Sequence, residues 1–478
     1  MKTTQFIIAG LLAFTLQGCG LDAIENPNVT EDKFVETPQA SATWVNGARA
    51  EMASSLSVIV ELTELTSDNY FNNRTLSSKV FDIPQIVYTD LDVNRIQTAV
   101  HNLRRTAEFG LETVIPQDNS ATDEQRAELY FYLGVSHLFA GEYFVGLPEE
   151  AYGTVLEPSA HFDAAIEAFD EVTSLSGDTD LVQAANLAKA RISFHEGDVT
   201  SLRTQAEAVI NAAPALNYQV EYDGINGPSN GFQNFLYNSS QDEFAPLPRL
   251  DFLDPKYYSE DGAGQDQKPI SLFKIEEAYL MLAEADLADG DLPGTRTRLK
   301  DLLSDVIANR PVASFDDSRE TRSGGNRDDY PLSDTVQVRF APGAPAVSGL
   351  ILDRQDGLVQ VPVVSGTSVT AQDIDNAATE DELLELIYLM RQEIFISEGR
   401  RVVDLGIRYP VSEQEMTGNN NIDSNSPYLQ AQIPGFIPLG MQMDDFSVNE
   451  AQGIVTIDVN INRVLVQNKT NDAILPLW

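Results

Sequence analysis

Apolar positions recur every three or four residues through the first half of the chain, the spacing that lines one face of an α-helix. The stretch "SATWVNGARAEMASSLSVIVELTELTS" (Ser41–Ser67) carries it, and "DVNRIQTAVHNLRRTAEFGLETV" carries it through Ile96, Val100, Leu103, Phe109 and Leu111. Both predict core helices. Further along, helix-period segments come in pairs. "TDEQRAELYFYLGVSHLFAGEYF" precedes "SAHFDAAIEAFDEVTSLSG", and "TDLVQAANLAKARISFHEGD" precedes "VTSLRTQAEAVINAAP". A third pair is "PISLFKIEEAYLMLAEADLADGD" with "LPGTRTRLKDLLSDVIANRP". Each first member has a small residue at mid-length (Gly134, Ala188, Ala283) where a neighbour can approach, and a Gly or Asp turn breaks each pair. Pro214 and Pro311 close two of them.

Other segments interrupt this pattern. Residues 216–267 are rich in Tyr, Phe, Asn, Gly and Pro; 312–375 alternate in "DTVQVRF" and "DGLVQVPVV"; and 409–478 are irregular, with one strand candidate in "GIVTIDVNINRVLVQ". The expectation is a mainly α fold with a helical core at about 40–215, 268–311 and 376–408, long irregular insertions and a few short strands. Irregular segments hung on a rigid frame are commonly where binding happens. The helix pairs resemble the tetratricopeptide repeat, a unit of about 34 residues whose stacked copies bury one continuous core. A generic helical bundle is the other reading of the same periodicity.

Charge narrows the function. The chain has 73 acidic against 31 basic residues, a formal net charge of −42. This excludes nucleic acid as a partner. Only 9 of the basic residues are lysines. A uniform acidic excess with scarce lysine favours a surface adapted to high salt over a specific cation-binding role, because salt screens like-charge repulsion. The four histidines (His101, His137, His161, His195) lack metal-ligand spacing, no segment has the spacing of a calcium loop, and no nucleophile motif stands out. No cofactor is expected.

Lys2 and the apolar run "FIIAGLLAFTL" (Phe6–Leu16) read as a secretory signal, too short to span a membrane. The only cysteine, Cys19, ends it in "LQGC". This resembles a bacterial lipobox, which implies a signal peptide at 1–18, a lipidated Cys19, and a polar tether at 19–35.

A charged stretch, "LMRQEIFISEGRRVVDLGIRYP", begins at Leu389. On a helix at about 100° per residue, Leu383, Ile387, Met390 and Ile394 form an apolar face. Arg391 then lies about 40° and Glu398 about 20° from Ile387, so the two project together and would pair two turns apart. Glu393 and Glu398 diverge by about 140° and cannot flank one scissile bond. Asp404 is spaced for Arg400 or Arg401. The periodicity favours an inward ion-pair lattice over a catalytic dyad.

The spacing Arg391, Glu393, Glu398-Gly399, Arg401, Asp404-Leu405 resembles the "R-x-E-x4-EG-x-R-x2-DL" signature of the SusD/RagB family. "ISLFKIEEAYLMLAEA", "AELYFYLGVSHLFAGEYFVGLP" and the lipobox are similar to that family as well. The resemblance implies a single SusD-like domain over 36–478, built as a tetratricopeptide-like α superhelix. It also implies a surface-exposed, lipid-anchored outer-membrane protein without catalytic activity. Such a protein captures a glycan or another small nutrient and delivers it to a SusC-like TonB-dependent transporter.

Sugars are held by aromatic faces with a fringe of amides and carboxylates. "TSDNYFNNRT" supplies that mix in Asp68, Asn69, Tyr70, Phe71, Asn72 and Asn73, where family members commonly place ligand contacts. Tyr257 and Tyr258 in "DPKYYSED", and Asp329 and Tyr330 in "GNRDDYPL", are further candidates, more often packing than recognition. A secreted glycan-active hydrolase and a helical-repeat interaction scaffold are the competing readings.

Overall fold

The computed structural model describes residues 34–35, 37–74, 79–237, 243–259, 264–318, 320, 325–440, 443–474 and 477. Cys19, the signal peptide and all of the tether but its last two residues lie outside these.

Several helices begin where a side chain caps them. α1 (Ala40–Thr66) and α2 (Leu91–Phe109) pack together; Asp90 caps α2 by accepting from the Asp92 N–H. Thr122 and Gln125 form a reciprocal capping box at the start of α3 (Asp123–Tyr143), which pairs with α4 (Pro158–Leu175). Asp178 and Asp198 cap α5 (Thr179–His195) and α6 (Val199–Ala212). Asp291 caps α8 (Leu292–Asp301), the partner of α7 (Glu276–Ala288). Each pair stacks on the next: α2 on α3, α4 on α5, α6 on α7. This is the solenoid expected from the paired periodicity.

The close approach foreseen at Gly134 is real. A Cβ there would come within 2.7 Å of the Phe169 ring, and one at Gly141 within 2.5 Å of Phe162. Two glycines seven residues apart on α3 thus receive two phenylalanines seven apart on α4. Gly141→Ala is expected to cost about 1–3 kcal/mol by overpacking. A thermal melt at wild-type temperature would refute this packing account.

Two expectations fail locally. "PISLFK" is not helical: Ile270–Lys274 is a strand antiparallel to Asn217–Val220, and the helix starts at Glu276. "GIVTIDVNINRVLVQ" splits into the strand Ile454–Ile457 and a helix, because Asn460 accepts from the Arg463 N–H and caps it. Ile454–Ile457 lies between Phe446–Asn449, antiparallel, and Gln337–Arg339, parallel, with Ala346–Val347 on the outer edge. Val312–Phe315 pairs antiparallel with Val359–Pro362, and Tyr70–Asn72 with Phe244–Pro246. These short pairings tie the inserted segments to each other and to the tail.

α9 (Glu380–Ile394) opens with a capping box from Thr379 and Glu382 and packs on α7. α10 (Arg401–Asp404) packs on α1 and α3, and α11 (Ile461–Gln467) on α9. Among the described residues no helix is long and apolar enough to cross a membrane.

Candidate functional site

The loop after α1 turns inward. Thr66 ends the helix, the Ser67 hydroxyl donates to the Glu64 carbonyl, and Asp68 to Asn73 are all buried. Asp68 accepts from Arg401 Nε (2.6 Å) and Nη2 (3.1 Å), and from Arg249 Nη2 (2.7 Å). Burial alone would raise its pKa, but Arg401 and Arg249 hold it below the usual carboxylate range. Asn69 donates to Glu64 Oε2 (2.8 Å), and the Tyr70 hydroxyl meets Ser397 Oγ (2.7 Å). Asp68, Asn69 and Tyr70 thus join elements of the core, and because all six side chains are buried, the reading of Asp68, Asn69, Tyr70, Phe71, Asn72 and Asn73 as an exposed ligand-stacking surface gives way to one of buried support.

The charged stretch is an inward lattice, with partners other than those periodicity assigns. Arg391 binds Asp404 (2.5 Å) rather than Glu398. Glu398 instead receives Lys256 and Lys274, the latter at 2.7 Å. Arg401 goes to Asp68, and Arg400 to Glu277 (2.8 Å). The physical reason is that α9 stops at Ile394. Ser397 (φ 65°) and Gly399 (φ 75°) take left-handed conformations, so helical phase does not carry to residue 398. Glu393 points elsewhere, accepting from Thr367 Oγ1 (2.6 Å) and from the Ser368 N–H (2.7 Å).

From Arg400 the pairs continue inward. Glu277 also takes Arg191 (2.6 Å), and Glu142 accepts from His195 (2.8 Å). Burial opposes ionisation of Glu277, yet Arg191 and Arg400 pull it down to about 2. Burial pulls the Lys274 ammonium down to about 8 and pushes Glu64 up to about 7. Glu64 accepts from the Gly399 (2.7 Å) and Glu398 (3.1 Å) N–H groups, which fixes the turn that ends the signature helix.

Tyr257, Tyr258 and Tyr330 are buried as well. Their hydroxyls donate to the carbonyls of Ser397 (2.8 Å), Asp316 and Pro246 (3.1 Å) respectively, so all three are packing residues. Asp329 is exposed. The structure does bring part of the predicted set together: Phe71 and Tyr330 pack at 6.4 Å between ring centroids, and Phe446 completes the group at 6.1 and 5.9 Å.

A polar surface sits on this aromatic base. The Arg327 guanidinium lies 3.5 Å from the Phe446 ring centroid and binds Asp329 (2.9 Å) and Asp445 (3.1 Å). Arg327 holds the Asp329 carboxyl below its ordinary range. Asn326 donates from Nδ2 to the Asn72 carbonyl (2.7 Å). Segments 70–74, 325–330 and 443–446 therefore converge on one half-exposed set of a guanidinium, two carboxylates and an amide. Such a set can exchange paired hydrogen bonds with hydroxyl groups. Arg327 and Phe446 escaped the sequence reading. The only local signal was the arginine inside the quoted "GNRDDYPL". Among the described residues no group of three or more potential ligands could hold a metal ion.

The sequence matches no protein-family model and no curated protein. The fold has solved counterparts. A SusD superfamily protein from Bacteroides fragilis superposes with a TM-score of 0.52 at 15% identity, covering 81% of this chain and 99% of that one. A SusD superfamily protein from Bacteroides thetaiotaomicron gives 0.52 at 12%, over 82% and 99%. A Bacteroides vulgatus protein, described provisionally as sugar binding, gives 0.53 at 13%, over 81% and 98%. The chain has the mainly α SusD-like fold.

Proposed function

We propose that this chain, with its SusD-like fold, is a non-catalytic capture protein for a glycan or similar small nutrient. It is anchored through Cys19 to the outer membrane, exposed at the cell surface, and delivers its ligand to a SusC-like TonB-dependent transporter. The observation that carries the proposal is the correspondence of fold over 81–82% of the chain with SusD superfamily structures that are themselves covered almost completely. Two features support it. The lipobox-like "LQGC" supplies the anchor. The Arg327, Asp329 and Asp445 surface supplies polar groups over an aromatic base, at the junction of segments the sequence marks as ligand-side.

Purification from the native outer membrane is expected to bring a large β-barrel with the chain, and a panel of oligosaccharides to raise the melting temperature of the pure protein without being turned over. Recovery as a soluble protein with hydrolytic turnover would overturn the proposal. Arg327→Ala is expected to weaken the best glycan about tenfold or more, because it removes the cation that holds the carboxylates of Asp329 and Asp445 in place over the Phe446 ring. Unchanged affinity in that variant would move the ligand to another face.

A further inference from the structure

A pocket of about 390 Å³ lies beside the four-stranded sheet, at the edge opposite to the strand that carries Phe446. Its walls come from α9, the short helix Ala371–Asn376, α11 and the strand Ala346–Val347. That volume is within the range of small-ligand sites, near its lower end. Much of the lining is apolar. Val369 and Leu389 are buried, Phe340 and Leu386 are half-buried, and Val347 is exposed. Among the described residues the Phe340 ring meets neither another ring nor a cation, so its face is not already taken.

The polar lining is dominated by carboxylates. Asp373, Glu382 and Glu385 stand against a single guanidinium, Arg463. Arg463 pairs with Glu385 (3.2 Å), which leaves Asp373 and Glu382 without an ion pair among the described residues. Each of these two acids closes a capping box, and the capping bonds fall on one oxygen. Asp373 Oδ2 accepts from the Thr370 N–H (2.9 Å), and Glu382 Oε2 from the N–H groups of Ala378 (2.7 Å) and Thr379 (2.9 Å). Both side chains are exposed, so the other oxygen of each is open to a ligand. The Ala378 and Thr379 N–H groups hold the Glu382 carboxyl below its ordinary range, which keeps it an anion at neutral pH.

The occupant follows from this combination. An anion would be repelled by the two uncompensated carboxylates. A neutral sugar would set its hydroxyls against Val369, Leu386 and Leu389, and a purely apolar molecule would leave the acids unused. An amphiphilic cation answers both surfaces. We propose that this pocket binds a small aryl-alkyl amine, its ring against Phe340, Leu386 and Leu389 and its ammonium group at Asp373 and Glu382.

The test is calorimetric titration of the whole mature protein with phenethylamine, 2-phenylethanol, 3-phenylpropionate and ethylamine. Phenethylamine is expected to bind below about 10 mM. Phenylethanol, which lacks the charge, should be weaker by about threefold or more, and phenylpropionate should not bind. Ethylamine carries the charge without the ring and should be weaker by about tenfold or more, which separates the pocket from general attraction to an acidic protein. Glu382→Gln keeps the capping box, because Gln serves there as well as Glu, and removes one charge. It should weaken phenethylamine by about twofold or more while leaving phenylethanol unchanged. Val347→Arg, an exposed substitution that brings a cation to the pocket wall, should weaken phenethylamine further at an unchanged melting temperature. The proposal is overturned if phenethylamine fails to bind at about 10 mM, if ethylamine or phenylpropionate binds as tightly, or if both variants leave its affinity unchanged.

Discussion

Asp68→Ala is expected to destabilise the protein by about 3–5 kcal/mol, the cost of breaking a buried ion pair from one side. Asp68 is fully buried and shared between Arg401 and Arg249, with Gln392 Nε2 donating to it at 3.0 Å. Truncation leaves two buried guanidinium groups with no carboxylate in contact. Glu393, the next acid near Arg249, is already committed to Thr367 and Ser368. The measurement is the midpoint of urea unfolding, with Asp68→Asn separating loss of charge from loss of volume. A shift under about 1 kcal/mol would show that neighbouring groups re-pair and that the lattice is redundant. The same variant tests the reassignment of this loop: whatever fraction stays folded should keep its glycan affinity. Lost binding at unchanged stability would restore Asp68 as a ligand contact.

The helical frame was legible because burial on one face of a helix writes a 3.6-residue period into the sequence, and stacked pairs repeat it. Inward burial of Arg391, which lies on the regular helix, was legible for the same reason. Its partner was not. A pairing is a property of three dimensions, and the phase that points Arg391 and Glu398 together holds only while the helix lasts. Gly399 and the left-handed Ser397 end that regularity, and Glu398 swings to Lys256 and Lys274, over a hundred residues away in sequence.

The candidate site was misread for a related reason. Asp68 to Asn73 has the composition of a sugar-binding loop, and a buried polar junction needs the same residues, since both must satisfy many hydrogen bonds in a small space. Only the distant Arg401 and Arg249 decide between the two. Ile461–Gln467 failed differently: a short apolar run reads at either period, and the cap from Asn460 settles it.

Acid is expected to act on the protein through two histidines that the sequence left unconnected. His137 and His161 meet at 3.0 Å between their Nδ1 atoms, both buried, on paired helices α3 and α4. His161 Nε2 lies 2.8 Å from the Leu147 carbonyl and so must carry the proton there, which leaves its Nδ1 as acceptor for an Nδ1–H of His137. A second proton on His161 would sit on Nδ1, facing the Nδ1–H of His137 with no acceptor in that contact. Burial, with the charge of Arg104 nearby, takes His137 down to about 2 and His161 to about 3. Both folded values lie below the unfolded value near 6.5, so the unfolded chain binds more protons between them. Stability from this pair is fully present above pH 6.5 and falls as the pH drops, by about 1.4 kcal/mol per unit for each ring. Buried carboxyls raised by desolvation, Glu64 and Glu393 among them, act in the opposite sense over part of the range. The signature is therefore a difference: between pH 6.5 and 4.5 the wild type should lose about 5 kcal/mol more than a variant carrying His137→Gln and His161→Gln. Parallel unfolding curves at each pH measure it. Equal losses in the two proteins would mean that the pair accepts a proton in the folded state, and that the neutral, hydrogen-bonded arrangement between α3 and α4 is wrong.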